Sequence, residues 1–413
     1  MLIKTKLLEK NVEDYKQFCD SQRYEKLLQS AEKFKDKKIL HINATPQGGG
    51  VAEILKTFVP LQRSLGLDSS WYYIKPDMKL FEITKKLHNS LQGSEVGLTK
   101  AEKDYYLNYN KKLAKAIDDF GADILMIHDP QPLASIEFID NPPPAVGRIH
   151  IDSSEPNQDS MDFINPFLSQ YTKIVFSLED FVSDKLPRKK IIISPPAIDP
   201  LSPKNIDIPR DLCRTILVAL GISPDRPLIT QVSRYDPWKD PLGVIDAYYI
   251  AKKDIPNLQL AMAGVIEAAD DPEALVMLQK VQEKAKGDPD IYLITERNIG
   301  EENKYLENAL QRSSDIVLQK SIREGFGLTV TEAMWKGAPV IGGNVGGIKL
   351  QIKDGENGFL VNTPGEAAER IIKLFEEPEL AKKIGKAAHE SVRQNFLITR
   401  LLEDEFEIME EAL

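Results

Sequence analysis

The sequence predicts an α/β protein built as two Rossmann-like, doubly wound domains with an inter-domain cleft, and three observations lead there. At 413 residues the chain exceeds the size at which one core usually stops growing, so two domains of roughly 200 residues are the natural division. From Lys37 onward, short β-branched runs alternate with amphipathic stretches of helical length, the pattern of βαβ units around a parallel sheet. The alternation breaks once, at Pro195-Pro196-Ala197-Ile198-Asp199-Pro200-Leu201-Ser202-Pro203, where four prolines in nine residues exclude both a helix and a central strand.

Taken in order, the first strand is KKILHIN (37–43). Gly48-Gly49-Gly50 follows it, then a helix whose Val51, Ile54, Leu55, Phe58 and Val59 share one face. Further strands are expected at 69–74, 123–128, 146–151, 173–177 and 190–194. Beyond the prolines come strands at 228–233, 258–264, 291–295, 315–319, 338–343 and 358–361, with helices from about Asp240, across 272–286 and 302–313, and from about Thr329. The domains are therefore 1–200 and 201–390, and the helical terminus 391–413 is expected to return and complete the first.

Composition limits the function. Hydrophobic residues at 42% and charged residues at 28% suit a soluble globular protein. Fifty-three basic against sixty-three acidic residues, a net charge of −10, argue against nucleic acid or a membrane surface as partner, so any phosphate is held locally. Cys19 and Cys213 fit no metal spacing and read as free thiols of a reducing compartment. No apolar run approaches the ~18 residues of a membrane span, and the expected location is cytoplasmic. The oligomeric state stays open, a homodimer being one outcome.

The strongest local signal is Ser321-Ile322-Arg323-Glu324-Gly325-Phe326-Gly327-Leu328-Thr329-Val330-Thr331-Glu332. It follows a strand, carries glycines where backbone must approach a guest, and opens a helix whose N-terminal N–H groups favour a pyrophosphate. Glu324 can accept from sugar hydroxyls, and Glu332, a turn into the helix, can hold a ribose. A plain strand-to-helix turn with two solvated carboxylates is the alternative. Arg234 and Lys239 follow the strand at 228–233 on its carboxyl side, where open α/β sheets bind ligands; they either offset a departing diphosphate or cap the next helix. Asp288-Pro289-Asp290 has the form of a metal-binding pair, but proline at its centre reads as a turn, so no metal is expected. Gly49 and Gly50 can bring backbone N–H groups to phosphates or to an acceptor. Asp129, Gln131 and Asp152, near strand ends, suit sugar hydroxyls. Lone histidines such as His41 are more often structural than catalytic.

Glu-x7-Glu around Gly-Phe-Gly-Leu-Thr, with Gly-Gly-Gly-Val and Ser233-Arg234-x4-Lys239-Asp240, resembles the retaining glycosyltransferases of the GT-B fold, the large family that includes sucrose and glycogen synthases. The resemblance spans nearly the whole chain. It implies that Glu324 contacts the donor sugar, Glu332 the ribose, and Arg234 and Lys239 the diphosphate, and that His150 hydrogen-bonds the donor sugar and stabilises the reacting centre. By position and chemistry, Gly49, Gly50 and Gly325 to Thr329 are read as further donor contacts, and Asp129, Gln131 and Asp152 as acceptor contacts. Longer strings, Leu-His-Asn-Ser-Leu-Gln-Gly (87–93), His-Asp-Pro-Gln-Pro (128–132) and Gln-Val-Ser-Arg-Tyr-Asp-Pro-Trp-Lys-Asp-Pro-Leu-Gly-Val-Ile (231–245), are similar to members that join a nucleoside-diphosphate glucose to free glucose, reversibly and with no resident cofactor. Gly147-Arg148 departs from the bulky residues of that pattern and leaves the acceptor open. A phosphorylase of the same fold, a nicotinamide-dependent dehydrogenase and a catalytically silent sugar-nucleotide sensor are the alternatives; Gly48-Gly49-Gly50 lacks the Gly-x-Gly-x-x-Gly spacing of the dehydrogenase.

Overall fold

The computed structural model describes residues 1–47, 49–75, 77–264, 272–295 and 304–413. Gly48 and the first two residues of the helix expected across 302–313 lie outside these. The chain forms two compact units: Met1–Ala197 together with Leu397–Leu413, and Ile198–Phe396. Residues 391–395 thus finish the helix Pro378–Asn395 of the second unit, with Phe396 as its C-cap, and the terminal helix of the first begins at Ile398.

The first unit is built on a seven-stranded sheet: β1 (Leu2–Lys4), β2 (Lys38–Asn43), β3 (Asp68–Ile74), β4 (Ile124–His128), β5 (Ala145–Ile149), β6 (Lys173–Phe176) and β7 (Ile191–Ile193), in spatial order β1-β3-β2-β4-β5-β6-β7. All pairs are parallel except β1 with β3. The central strands β4 and β5 are buried throughout, the mark of a sheet covered on both faces. Helices that the strand reading did not name, Met78–Leu91 and Lys100–Asp118, cover one side. The second is announced by a Thr99/Glu102 capping box.

The helix Ile398–Ala412 closes this unit and is held by charge as well as by apolar packing. Phe406 stacks on Phe34 with ring centroids 5.7 Å apart, and around that contact lie Arg23–Glu403 at 3.0 Å, Lys26–Glu407 at 2.8 Å and Lys33–Glu410 at 2.7 Å. The last two are exposed and contribute little each. Arg148–Glu405 is different: at 2.7 Å, with side chains 6% and 1% exposed, it is a buried ion pair across 257 residues of sequence. The Arg148 guanidinium also donates to Ser194 O and Oγ, while burial raises the Glu405 carboxyl to about 6 against the pull of Arg148. The departure Gly147-Arg148 therefore has a structural account. On one face Arg148 anchors the terminal helix; on the other, a Cβ at Gly147 would sit 3.1 to 3.3 Å from the Tyr171 ring.

The second unit has six parallel strands, β8 (Leu228–Val232), β9 (Gln259–Gly264), β10 (Ile291–Thr295), β11 (Ile316–Gln319), β12 (Val340–Gly343) and β13 (Phe359–Val361), in order β10-β9-β8-β11-β12-β13. The order reverses between β8 and β11, which puts the crevice for a ligand beyond the carboxyl ends of these two strands. Asp288 and Asp290 form a turn before β10, with Lys252 at 3.1 and 2.9 Å and Arg226 at 2.7 Å from Asp290; the pair is satisfied by cations of its own unit.

Truncating Glu405 to Ala leaves a buried guanidinium without its counter-charge, and a loss of about 3–5 kcal/mol in unfolding free energy is expected. Replacing both partners, Arg148→Met with Glu405→Leu, should restore most of it. Urea titration followed by circular dichroism measures both.

Candidate functional site

In the second unit the connection after β8 and the connection after β11 are tied to each other. Asp240, at φ 47°, caps the helix Pro241–Ala251 by accepting from Gly243 N at 3.1 Å. Glycine is required there, since a Cβ would lie 2.2 Å from the Asp240 carboxylate. The cap fixes the preceding residue, Lys239, whose carbonyl accepts from Gln231 Nε2 at 2.9 Å. Lys239 Nζ then reaches Glu324 Oε2 at 2.7 Å, and the pair crosses a second one in which the buried Lys320 meets Asp240. Ile322 N donates to Trp238 O at 2.8 Å, and Ser321 Oγ to Glu324 Oε2 at 3.2 Å. Two cations and two carboxylates thus hold both loops at the switch point.

The glycine loop takes its shape from its neighbours. Gly327 adopts φ 85° and precedes the helix Leu328–Trp335 without any side-chain cap. Val330 N donates to Gly327 O at 2.9 Å, so among the first-turn groups those of Leu328 and Thr329 are the ones turned to a guest or solvent. Gly347 packs beneath the loop, where a Cβ would lie 2.4 Å from Phe326 Cα. Gln351 Nε2 donates to Phe326 O at 2.6 Å, and Gln351 Oε1 accepts from Thr331 Oγ1 at 2.6 Å. Phe326 itself is buried, its ring 5.6 Å from that of Phe396, so it can offer a ligand only backbone. Leu328 and Thr329 are half-buried in the first turn. Glu332 is buried on the same helix; one turn on, Lys336 Nζ donates to Glu332 O at 2.9 Å and to Asn205 Oδ1 at 3.2 Å. Burial lowers the Lys336 ammonium, opposed by the charge of Glu332. Arg234 is exposed and pairs with Asp236 at 3.2 Å.

The first unit collects a different set. Gly49 and Gly50 are exposed at the start of the helix Gly49–Ser64, Gly49 at φ 76° with no neighbour within 4 Å of a Cβ. His41, His128 and His150 stand on three adjacent strand lines. The register pairs His41 with Met126 and His128 with Arg148, so each histidine lies two residues further along than the last and all three share one face. Their rings stack at 5.5 Å spacing, with interplanar angles of 24° and 20°. His128 and His150, with Arg148, Glu405, Leu401 and the helix residues Val51, Ile54, Leu55 and Phe58, line one small pocket.

Asp129, a non-glycine residue at φ 63°, accepts from His150 N at 2.8 Å, and burial lifts its carboxyl to about 7. Asp152 accepts from Ser154 N and Oγ at 3.0 and 2.6 Å. Gln131 Oε1 is buried with no hydrogen-bond partner among the described residues. Of the three acceptor candidates, then, Asp129 supports His150, Asp152 shapes its own turn, and Gln131 keeps an uncommitted acceptor. Sequence reasoning set His41 aside and did not reach Gln62, Lys320, Gln351 or Lys336. A signal was present for two of them: one histidine on each of three strand candidates, and Glu332 four residues before Lys336, a helix-face neighbour spacing.

Comparison with known proteins gives the class first. The structure of a sucrose-phosphate synthase from Thermosynechococcus elongatus superimposes with a TM-score of 0.69 at 17% identity, covering 91% of this chain and 100% of that one. The fold is that of the GT-B glycosyltransferases. The profile of the trehalose synthase N-terminal domain matches residues 41–183, and that of the group 1 glycosyl transferases matches residues 214–391. A trehalose synthase from Pyrococcus horikoshii is 45% identical over 97% of this chain and 96% of its own length. A trehalose phosphorylase from Pleurotus pulmonarius is 28% identical over 92% of this chain but 58% of its own length. The chain belongs to the trehalose synthase family of glycosyltransferases.

Burial depresses all three histidines, His41 to about 4 from 6.5. Between these values the unfolded chain binds a proton that the native His41 does not, so the contribution of His41 is complete above about pH 6.5 and is lost as the pH drops toward 4, while the raised carboxyls of Asp129 and Glu405 work in the opposite direction. His41 alone is expected to remove about 3 kcal/mol across that window. The difference between wild type and His41→Gln in thermal unfolding at pH 7 and pH 4.5 measures it, the variant losing less stability, or gaining more, than wild type on going to pH 4.5.

Proposed function

We propose that the protein is a retaining glycosyltransferase that moves glucose from a nucleoside-diphosphate glucose to free glucose, giving trehalose and the nucleoside diphosphate. The observation that carries the reading is the contact of Lys239 with Glu324 at 2.7 Å, on loops leaving adjacent strands at the switch point, beside an uncapped helix N-terminus. A cation, a carboxylate and the backbone N–H groups of Leu328 and Thr329 within one crevice match a ligand that carries diphosphate at one end and hydroxyls at the other. Glu324 takes sugar hydroxyls, Gly325 to Thr329 face the diphosphate through backbone, Glu332 holds the ribose, and Arg234 and Lys239 offset the charge of the leaving group. His150 is assigned to the donor sugar, with Gln131 the residue freest to meet an acceptor hydroxyl.

The reaction breaks the bond from the anomeric carbon to the phosphate oxygen and forms one to the acceptor oxygen on the same face. The departing phosphate takes the acceptor proton, so configuration is retained without a protein nucleophile. The likeness to trehalose phosphorylase favours one alternative, in which inorganic phosphate takes the place of the nucleotide.

Incubation with a panel of nucleoside-diphosphate glucoses and free glucose should yield trehalose with one nucleoside diphosphate per product. Glucose 1-phosphate formed from trehalose and phosphate, with no turnover of any sugar nucleotide, selects the phosphorylase. Lys239→Ala and Arg234→Ala are each expected to lower kcat by about 10²–10³ while leaving the KM for the acceptor nearly unchanged.

A further inference from the structure

The three stacked histidines do not end at His41. His41 Nε2 lies 3.0 Å from Gln62 Oε1, His41 Nδ1 lies 3.2 Å from His128 Nε2, and His128 Nδ1 lies 3.2 Å from His150 Nε2. The far end is pinned, because Ser69 Oγ donates to the same Gln62 oxygen at 2.6 Å. Gln62, Ser69 and His41 are fully or almost fully buried, at 0%, 2% and 0% exposed, and His128 is 4% exposed.

A ring-to-ring N···N contact of this length needs one N–H and one lone pair, so the protonation of each imidazole dictates that of the next. With the Gln62 oxygen as acceptor, His41 carries its proton on Nε2 and offers Nδ1; His128 then carries its own on Nε2, and so does His150. A doubly protonated ring inside the chain would be a buried cation with Arg148 as a neighbour, which burial and like charge both disfavour. We infer that Gln62, His41 and His128 are positioning residues that fix the tautomer of His150, holding its Nδ1 as a lone-pair acceptor for a sugar hydroxyl. The three rings act as one unit, since a change at Gln62 reverses or releases every bond as far as His150. Among the described residues Gln62 Nε2 has no hydrogen-bond partner, so there the amide is engaged through its oxygen, on the side facing the relay.

The sugar ligand rests on the function proposed above; the tautomer pattern does not. Nitrogen-15 spectra of histidine-labelled protein at pH 7 should show His41, His128 and His150 neutral with protons on Nε2. In Gln62→Met, and separately in His41→Phe, the His150 ring should lose that single pattern although neither residue touches it, and kcat should fall roughly tenfold, as for outer hydrogen-bond partners of functional histidines. The affinity for nucleoside diphosphate should stay unchanged, and Gln62→Glu, which keeps an acceptor, should restore the Nε2 pattern. Protons on Nδ1 in the wild type, or a His150 tautomer indifferent to both variants, would overturn the relay. Absence of glycosyl transfer from any sugar nucleotide, with the tautomer response intact, would overturn the functional reading alone.

Discussion

The second unit depends on the crossed ion pairs Lys239–Glu324 and Lys320–Asp240. Strand order brings β8 and β11 together, but the chain leaving each strand is free to go elsewhere until something holds it. Asp240 does so twice, capping a helix and meeting Lys320, and the cap leaves Lys239 committed to Glu324. At 16% and 10% side-chain exposure, this pair is desolvated enough that its partners must stay matched. An anionic guest beside Lys239 meets a cation already stripped of most of its water, in a setting whose electrostatics are arranged before the guest arrives.

Apart from β1, the strands and much of the switch-point crevice were legible in sequence for a physical reason: they depend on local periodicity. Strand segments from 37–43 to 358–361 announce themselves by β-branched runs, and Glu324 to Glu332 sit on one continuous string, so their proximity needs no tertiary knowledge. Arg234 and Lys239 could be set beside them because both lie just after a strand, where ligand sites gather. The resemblance read from Glu-x7-Glu is matched by the family to which the chain belongs.

What stayed hidden depends on register and on distance along the chain. Nothing near Arg148 predicts Glu405, 257 residues away. The histidine relay needs the offset of two residues between neighbouring strands, which pattern alone does not supply. Gln62 and Gln351 look like ordinary helix residues until their partners are known, and each then proves to be the hinge of a buried polar network. Such networks reward full satisfaction, and the buried histidines carry a cost in acid stability for the fixed tautomer they provide.

The central claim is that the switch-point crevice of the second unit reads both ends of a sugar nucleotide. Titration calorimetry with a nucleoside diphosphate and with its glucose conjugate tests it most directly. Wild type should bind the conjugate more tightly than the diphosphate; Glu324→Gln should abolish that difference while leaving the diphosphate affinity unchanged, and Lys239→Ala should weaken both. Equal affinities in wild type, or a Glu324→Gln variant that still prefers the conjugate, would contradict the account.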